Sequence, residues 1–189
     1  MHGRKPIVWY GTSIEQGGVA SRPGATYTNV LTRSLGRMVL NFGFSGNGED
    51  ETSVAGFLTQ LPAALFVIDC LPNLNAKEVS QRTVPLVRYL REHGHATTPI
   101  VLAAGTTYGD HWVEPGPNDG KRAALEEAYA QLVAAGDAHL HLVSNRDNEL
   151  FAHDKLINPT VGGTHPTDLG HREIAAFYEQ LLPKLLLEG

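Results

Sequence analysis

Three side chains in this sequence belong to types that together can carry nucleophilic acyl chemistry. Ser13 stands in Gly11-Thr12-Ser13, directly after the apolar run Ile7-Val8-Trp9-Tyr10. A free serine hydroxyl is a weak nucleophile and needs a neighbouring base to take its proton. A histidine, with an ordinary pKa near 6.5, is the side chain best matched to that task, and His165 stands in Thr164-His165-Pro166. Asn73 closes Asp69-Cys70-Leu71-Pro72-Asn73 and offers an uncharged amide donor, while Gly46 lies in Gly43-Phe44-Ser45-Gly46-Asn47-Gly48. Each has a plainer use when taken singly. Ser13 suits a turn or cap, Asn47-Gly48 is a turn signal, Asn73 suits a loop, and His165-Pro166-Thr167-Asp168 suits a helix start.

The elements that must position these residues follow from hydrophobic patterning. Short apolar runs at Ile7 to Tyr10, Met38 to Phe42, Leu65 to Ile68, Ile100 to Ala103 and His139 to Val143 read as strands. Leu65-Phe66-Val67-Ile68 is apolar at every position, as expected of a parallel strand covered on both faces. Between the strands, Thr26 to Leu35, Ala76 to His93, Asn118 or Asp119 to Ala135, and Thr167 or Asp168 to about Leu187 carry helical periodicity. Glycines 36, 94 and 136 stop the first three of these helices. Alternating strands and helices predict a parallel sheet wrapped on both faces, with ligands outside the carboxyl ends of its strands. All four singled-out residues lie in segments leaving those ends or entering the last helix.

With that placement, four blocks in chain order resemble the SGNH (GDSL-like) hydrolases. They are Gly11-Thr12-Ser13-Ile14, Asn41-Phe42-Gly43-Phe44-Ser45-Gly46, Asp69-Cys70-Leu71-Pro72-Asn73 and Thr164-His165-Pro166, spread over nearly the whole chain. The resemblance implies a three-layer α/β/α sandwich of about five parallel strands in the order 2-1-3-4-5, formed as a single domain over residues 1–189. It implies that Ser13 is the nucleophile, that His165 is the general base, and that the Ser13 N–H, the Gly46 N–H and the Asn73 amide form the oxyanion hole. Glycine suits 46 where the backbone must approach a substrate closely. The α/β-hydrolase elbow, Gly-x-Ser-x-Gly, is absent, since Ile14 and Glu15 follow Ser13.

One position departs from the family pattern. The aspartate usually found three residues before the histidine is Gly162 here. A backbone carbonyl orienting His165 in a Ser–His dyad, another carboxylate (Asp154 or Asp168), and a weakened or inactive enzyme are the three readings that follow.

The remaining features bound the function. With 42% hydrophobic and 19% charged residues in 189, the composition is that of an ordinary globular protein. A net charge of −5 argues against nucleic acid or an anionic membrane as partner. The single cysteine, Cys70, reads as a small core residue, and no histidine pair comes with the further ligand a zinc site needs, so no metal and no cofactor are expected. Glu15 reads as a surface charge. Tyr108 to Pro117 leaves the fourth strand, and Trp112 and Tyr108 are the candidate substrate contacts there. The N-terminal apolar run is too short for a signal-peptide core, which favours a cytoplasmic protein. The expected partner is a small ester, with a homo-oligomer left open. The expected activity is hydrolysis of short-chain esters, acetyl esters of carbohydrates among them, and the rival is an SGNH-fold module that binds acyl or glycan groups without turning them over.

Overall fold

The computed structural model describes residues 3–105, 119–144 and 159–186. Five parallel strands form the central sheet: β1 (Ile7–Gly11), β2 (Val39–Gly43), β3 (Leu65–Asp69), β4 (Ile100–Ala103) and β5 (Leu140–Val143). Their order is β2-β1-β3-β4-β5, as the sequence predicts. β1 runs between β2 and β3 in register, so that Gly11 stands beside both Gly43 and Asp69. The residues that leave these three strand ends therefore begin as neighbours.

Alternation along the strands builds two cores. Val8, Tyr10, Phe66, Ile68, Ile100 and Leu102 face α3 (Thr52–Leu58), α4 (Ala76–Glu92) and α5 (Asp119–Ala134). Ile7, Trp9, Leu65, Val67 and Val101 face α2 (Tyr27–Ser34) and α6 (Asp168–Leu185). This is the three-layer sandwich, and both faces of β1 and β3 are buried at every residue. On the second face, Trp9 meets Tyr27 and Tyr178 edge-on at 5.1 and 4.7 Å between ring centroids, an arrangement aromatic quadrupoles favour. No described helix is long and apolar enough to cross a membrane.

Four short elements add to the sequence reading. The segment after Thr12 coils into a four-residue helix, α1 (Ser13–Gln16). Ahead of α6, β6 (Thr160–Val161) and β7 (His165–Pro166) pair antiparallel as a hairpin. α3 likewise lies outside the sequence reading, because Thr52–Leu58 is too short and mixed to display a helical period.

Candidate active site

Ser13 is the first residue of α1, one step beyond the capping residue Thr12. Helix geometry leaves the first amides without intrahelical acceptors. The Thr12 hydroxyl takes the Ile14 N–H at 3.2 Å, and the Thr12 carbonyl takes the Gln16 N–H at 3.1 Å. Glu15 reaches back to complete a capping box: its Oε2 accepts from the Thr12 N–H and, at 2.8 Å, from the Thr12 hydroxyl. Its Oε1 accepts from the Tyr27 hydroxyl at 2.8 Å. Glu15 is only 1% exposed, which corrects its expected role as a surface charge. The Thr12-x-x-Glu15 spacing carried that signal in the sequence, as a capping box.

Beneath this turn lies a second carboxyl. Asp69, at the end of β3 and 6% exposed, lines the same small cavity as Glu15, Tyr27 and Tyr178. Burial, and then the charge of Glu15 and a hydrogen bond to it, push the Asp69 carboxyl well above the usual range. Burial also raises Glu15, against the pull of its bonds from Thr12 and Tyr27. Two buried carboxyls so placed oppose a second negative charge under the nucleophile turn. Burial likewise raises the Cys70 thiol, keeping it neutral and unreactive, in keeping with its reading as a core residue.

His165 arrives from the far end of the chain. Residues 161–164 form the hairpin turn, closed by the Thr164 N–H on the Val161 carbonyl at 3.4 Å. Gly162 and Gly163 take φ values of +60° and +76°, the left-handed pair that a tight hairpin turn requires. The place where the family carries an aspartate is thus a turn corner. The hairpin sets His165 so that its Nε2 lies 2.8 Å from Ser13 Oγ, a hydrogen bond across 152 residues of sequence.

The Gly46 loop and Asn73 close the other side. The Phe44 N–H donates to the Gly11 carbonyl at 3.0 Å, and the Asn47 and Gly48 amides turn back onto the Phe44 carbonyl. A β-carbon at Gly48 would stand 1.9 Å from the Gly11 carbonyl oxygen, so only glycine lets the loop lie on the nucleophile strand. At Gly46 the demand is different. There a β-carbon would meet nothing of the chain within 4 Å, and glycine answers the backbone φ of +67°. Asn73 Nδ2 approaches the Gly48 carbonyl at 3.2 Å and the Phe44 carbonyl at 3.4 Å. The third block is thereby tied to the second.

Of the sequence candidates, Ser13, His165, Asn73 and the Gly46 loop come together at the carboxyl end of the sheet. Asp168 does not orient the imidazole: its Oδ1 accepts from the Ser21 N–H at 2.8 Å and its Oδ2 from the Ser21 hydroxyl at 2.5 Å. Trp112, Tyr108 and Asp154 lie outside the described residues. Among those described, no three His, Cys, Asp or Glu side chains are placed to share a metal ion.

Comparison with known proteins bears on the family and the fold. A model of the GDSL-like lipase/acylhydrolase family matches residues 4–183. A solved GDSL-like lipase from Bacteroides ovatus is 34% identical, with a TM-score of 0.88 over 97% of this chain and 54% of that one. A salicylyl-acyltransferase from a tetracycline biosynthetic pathway is 21% identical, with a TM-score of 0.82 over 98% of this chain and 56% of that one. A family 3 carbohydrate esterase from Clostridium thermocellum is 16% identical, with a TM-score of 0.71 over 98% and 99% of the two chains. The latter two show the fold alone. The chain spans about half the length of the first two structures. Comparison with the curated proteins found no match.

Proposed function

Because the chain belongs to the GDSL-like lipase/acylhydrolase family, we propose that it hydrolyses short-chain carboxylic esters through an acyl-Ser13 intermediate. The observation that carries the reading is the 2.8 Å bond between Ser13 Oγ and His165 Nε2. As Ser13 Oγ attacks the acyl carbon, Nε2 takes the hydroxyl proton and the carbonyl π electrons move onto oxygen. The Ser13 N–H, the Gly46 N–H and the Asn73 amide hydrogen that leaves its 3.4 Å contact with the Phe44 carbonyl meet that oxyanion, each donor contributing about 10²–10³-fold to turnover. Collapse breaks the ester C–O bond, and His165 returns the proton to the departing alcohol. Water, deprotonated by His165 in turn, then cleaves the acyl-enzyme and restores Ser13.

Acetyl esters of carbohydrates are the substrate class this reading favours. Its support is the kinship of fold with the Clostridium thermocellum carbohydrate esterase and with a two-domain esterase active on acetylated mannans. The turn glycine at 162 sustains the rival reading, an acyl- or glycan-binding module without turnover. A fluorophosphonate probe separates the two. The proposal expects its mass on the intact chain and none on Ser13→Ala, with turnover of p-nitrophenyl acetate falling by about 10⁴-fold or more in that variant. A wild-type chain that takes up no probe at neutral pH overturns the hydrolase reading and leaves the binding module.

A further inference from the structure

The segment after α1 lies beside both members of the dyad. The amides of Gly17 and Gly18 both donate to the Ser13 carbonyl, at 3.1 and 3.0 Å. A β-carbon at Gly18 would reach contact distance of both, 3.9 Å from Ser13 Cβ and 3.9 Å from His165 Cδ2, so this loop runs close to both members at once. The Ala20 N–H returns to the Gly17 carbonyl at 3.1 Å, and the next residue, Ser21, gives both its N–H and its hydroxyl to Asp168. Asp168 stands three residues after His165, at the start of α6, where the Thr167 N–H is fastened to the Pro159 carbonyl at 2.8 Å. A continuous path therefore runs from the Ser13 carbonyl through residues 17–21 to Asp168 and back to His165. The two bonds from Ser21 hold the Asp168 carboxyl below its ordinary range, so the acceptor stays charged through neutral pH.

We propose that Asp168 is a positioning residue: by gripping Ser21 with both carboxylate oxygens it docks the nucleophile loop onto the histidine segment and sets the Ser13–His165 distance. The inference rests on the proposed esterase reading. It assigns to a contact between segments part of the alignment that a carboxylate at position 162 would give directly to the ring. Small displacements of a reacting pair are costly, about 10²-fold for 1 Å, so loss of a clamp one loop away has a measurable effect on turnover.

The test is a double-mutant cycle on the full chain with Asp168→Ala, Ser21→Ala and both together. Asp168→Ala is expected to lower kcat on p-nitrophenyl acetate by about tenfold with KM within about twofold, Ser21→Ala by less because its N–H still reaches Oδ1, and the double variant to fall no further than Asp168→Ala, because the clamp is already gone. Asp168→Asn recovers part of the loss, since its Oδ1 can accept from the Ser21 N–H and its Nδ2 can donate to the Ser21 hydroxyl oxygen. Unchanged kcat in Asp168→Ala, or losses that multiply in the double variant, overturns the clamp. Amide hydrogen exchange at Gly17 and Gly18 reads it independently of catalysis. If the wild-type chain has no esterase activity, the function reading fails alone; faster exchange in Asp168→Ala still supports the clamp, and unchanged exchange overturns it.

Discussion

Asp50 offers a prediction whose size follows from its surroundings. It lies two residues beyond Gly48, in the left-handed region at φ +56°, and is 3% exposed. The Thr83 hydroxyl donates to its Oδ2 at 2.6 Å, while Oδ1 has no partner. Burial lifts the carboxyl from an ordinary 3.8 to about 6, outweighing the opposing hydrogen bonds from Thr83 and Cys70. The folded chain thus keeps a proton that the unfolded chain gives up. Stability falls as pH rises from the ordinary value to about 6 and levels off above it. At 1.36 kcal/mol per pH unit the whole effect is about 3 kcal/mol, of which about 2 kcal/mol falls between pH 4.5 and 7.5. Asp50→Asn removes the titration, tolerates the left-handed backbone and keeps an oxygen for the Thr83 hydroxyl. Urea unfolding of both chains at the two pH values measures the difference. The variant is expected to gain about 2 kcal/mol on the wild type between pH 4.5 and 7.5, or about 4–8 °C in Tm for a chain of this length. A stability gap of the same size at both pH values would refute the reasoning, because the buried carboxyl would then not carry the proton.

Two further substitutions probe the glycines that shape the site. Gly48→Ala drives a β-carbon onto the Gly11 backbone carbonyl, which cannot swing aside, and is expected to cost about 2–3 kcal/mol in urea unfolding and to lower kcat as the Gly46 loop lifts. A variant as stable and active as the wild type would show that the loop does not need this contact. Gly162→Asp places the family's usual residue at the hairpin corner, yet a β-carbon there meets nothing within 4 Å, so no neighbouring group holds the new carboxylate against the imidazole. Turnover of p-nitrophenyl acetate is expected to stay within about twofold, with about 1 kcal/mol lost to the left-handed backbone; a rise of tenfold or more would mean the carboxylate had reached His165.

What could be read from the residues was what neighbours along the chain decide. The five strands are short apolar runs whose burial on two faces shows in their composition, and the helix starts and stops follow from caps and glycines. The four blocks placed Ser13, Asn73 and His165 at strand ends or a helix start because those ends are where a parallel sheet opens. Even the buried Glu15 was written locally, as Thr12-x-x-Glu15, although an isolated glutamate two residues from a serine suggests a solvated charge. Short elements such as α3 and the β6–β7 hairpin escaped because they hold too few residues to establish a period.

Tertiary structure decided the rest, since it depends on which distant surfaces meet. No local rule brings Ser13 and His165 to 2.8 Å across 152 residues, or turns the Asp168 carboxylate to Ser21 across 147. Whether a carboxyl ionises at all is settled the same way. Asp50, Asp69 and Glu15 look like any other acids in the sequence, and only the packing of β1, β3 and the elements around them strips away the water that would hold their titration in the ordinary carboxyl range. The sequence by itself determined the side chains, the strands and the turns that present them. Distance and dielectric, the two quantities that make a serine and a histidine a reactive pair, came into being only when the chain closed on itself.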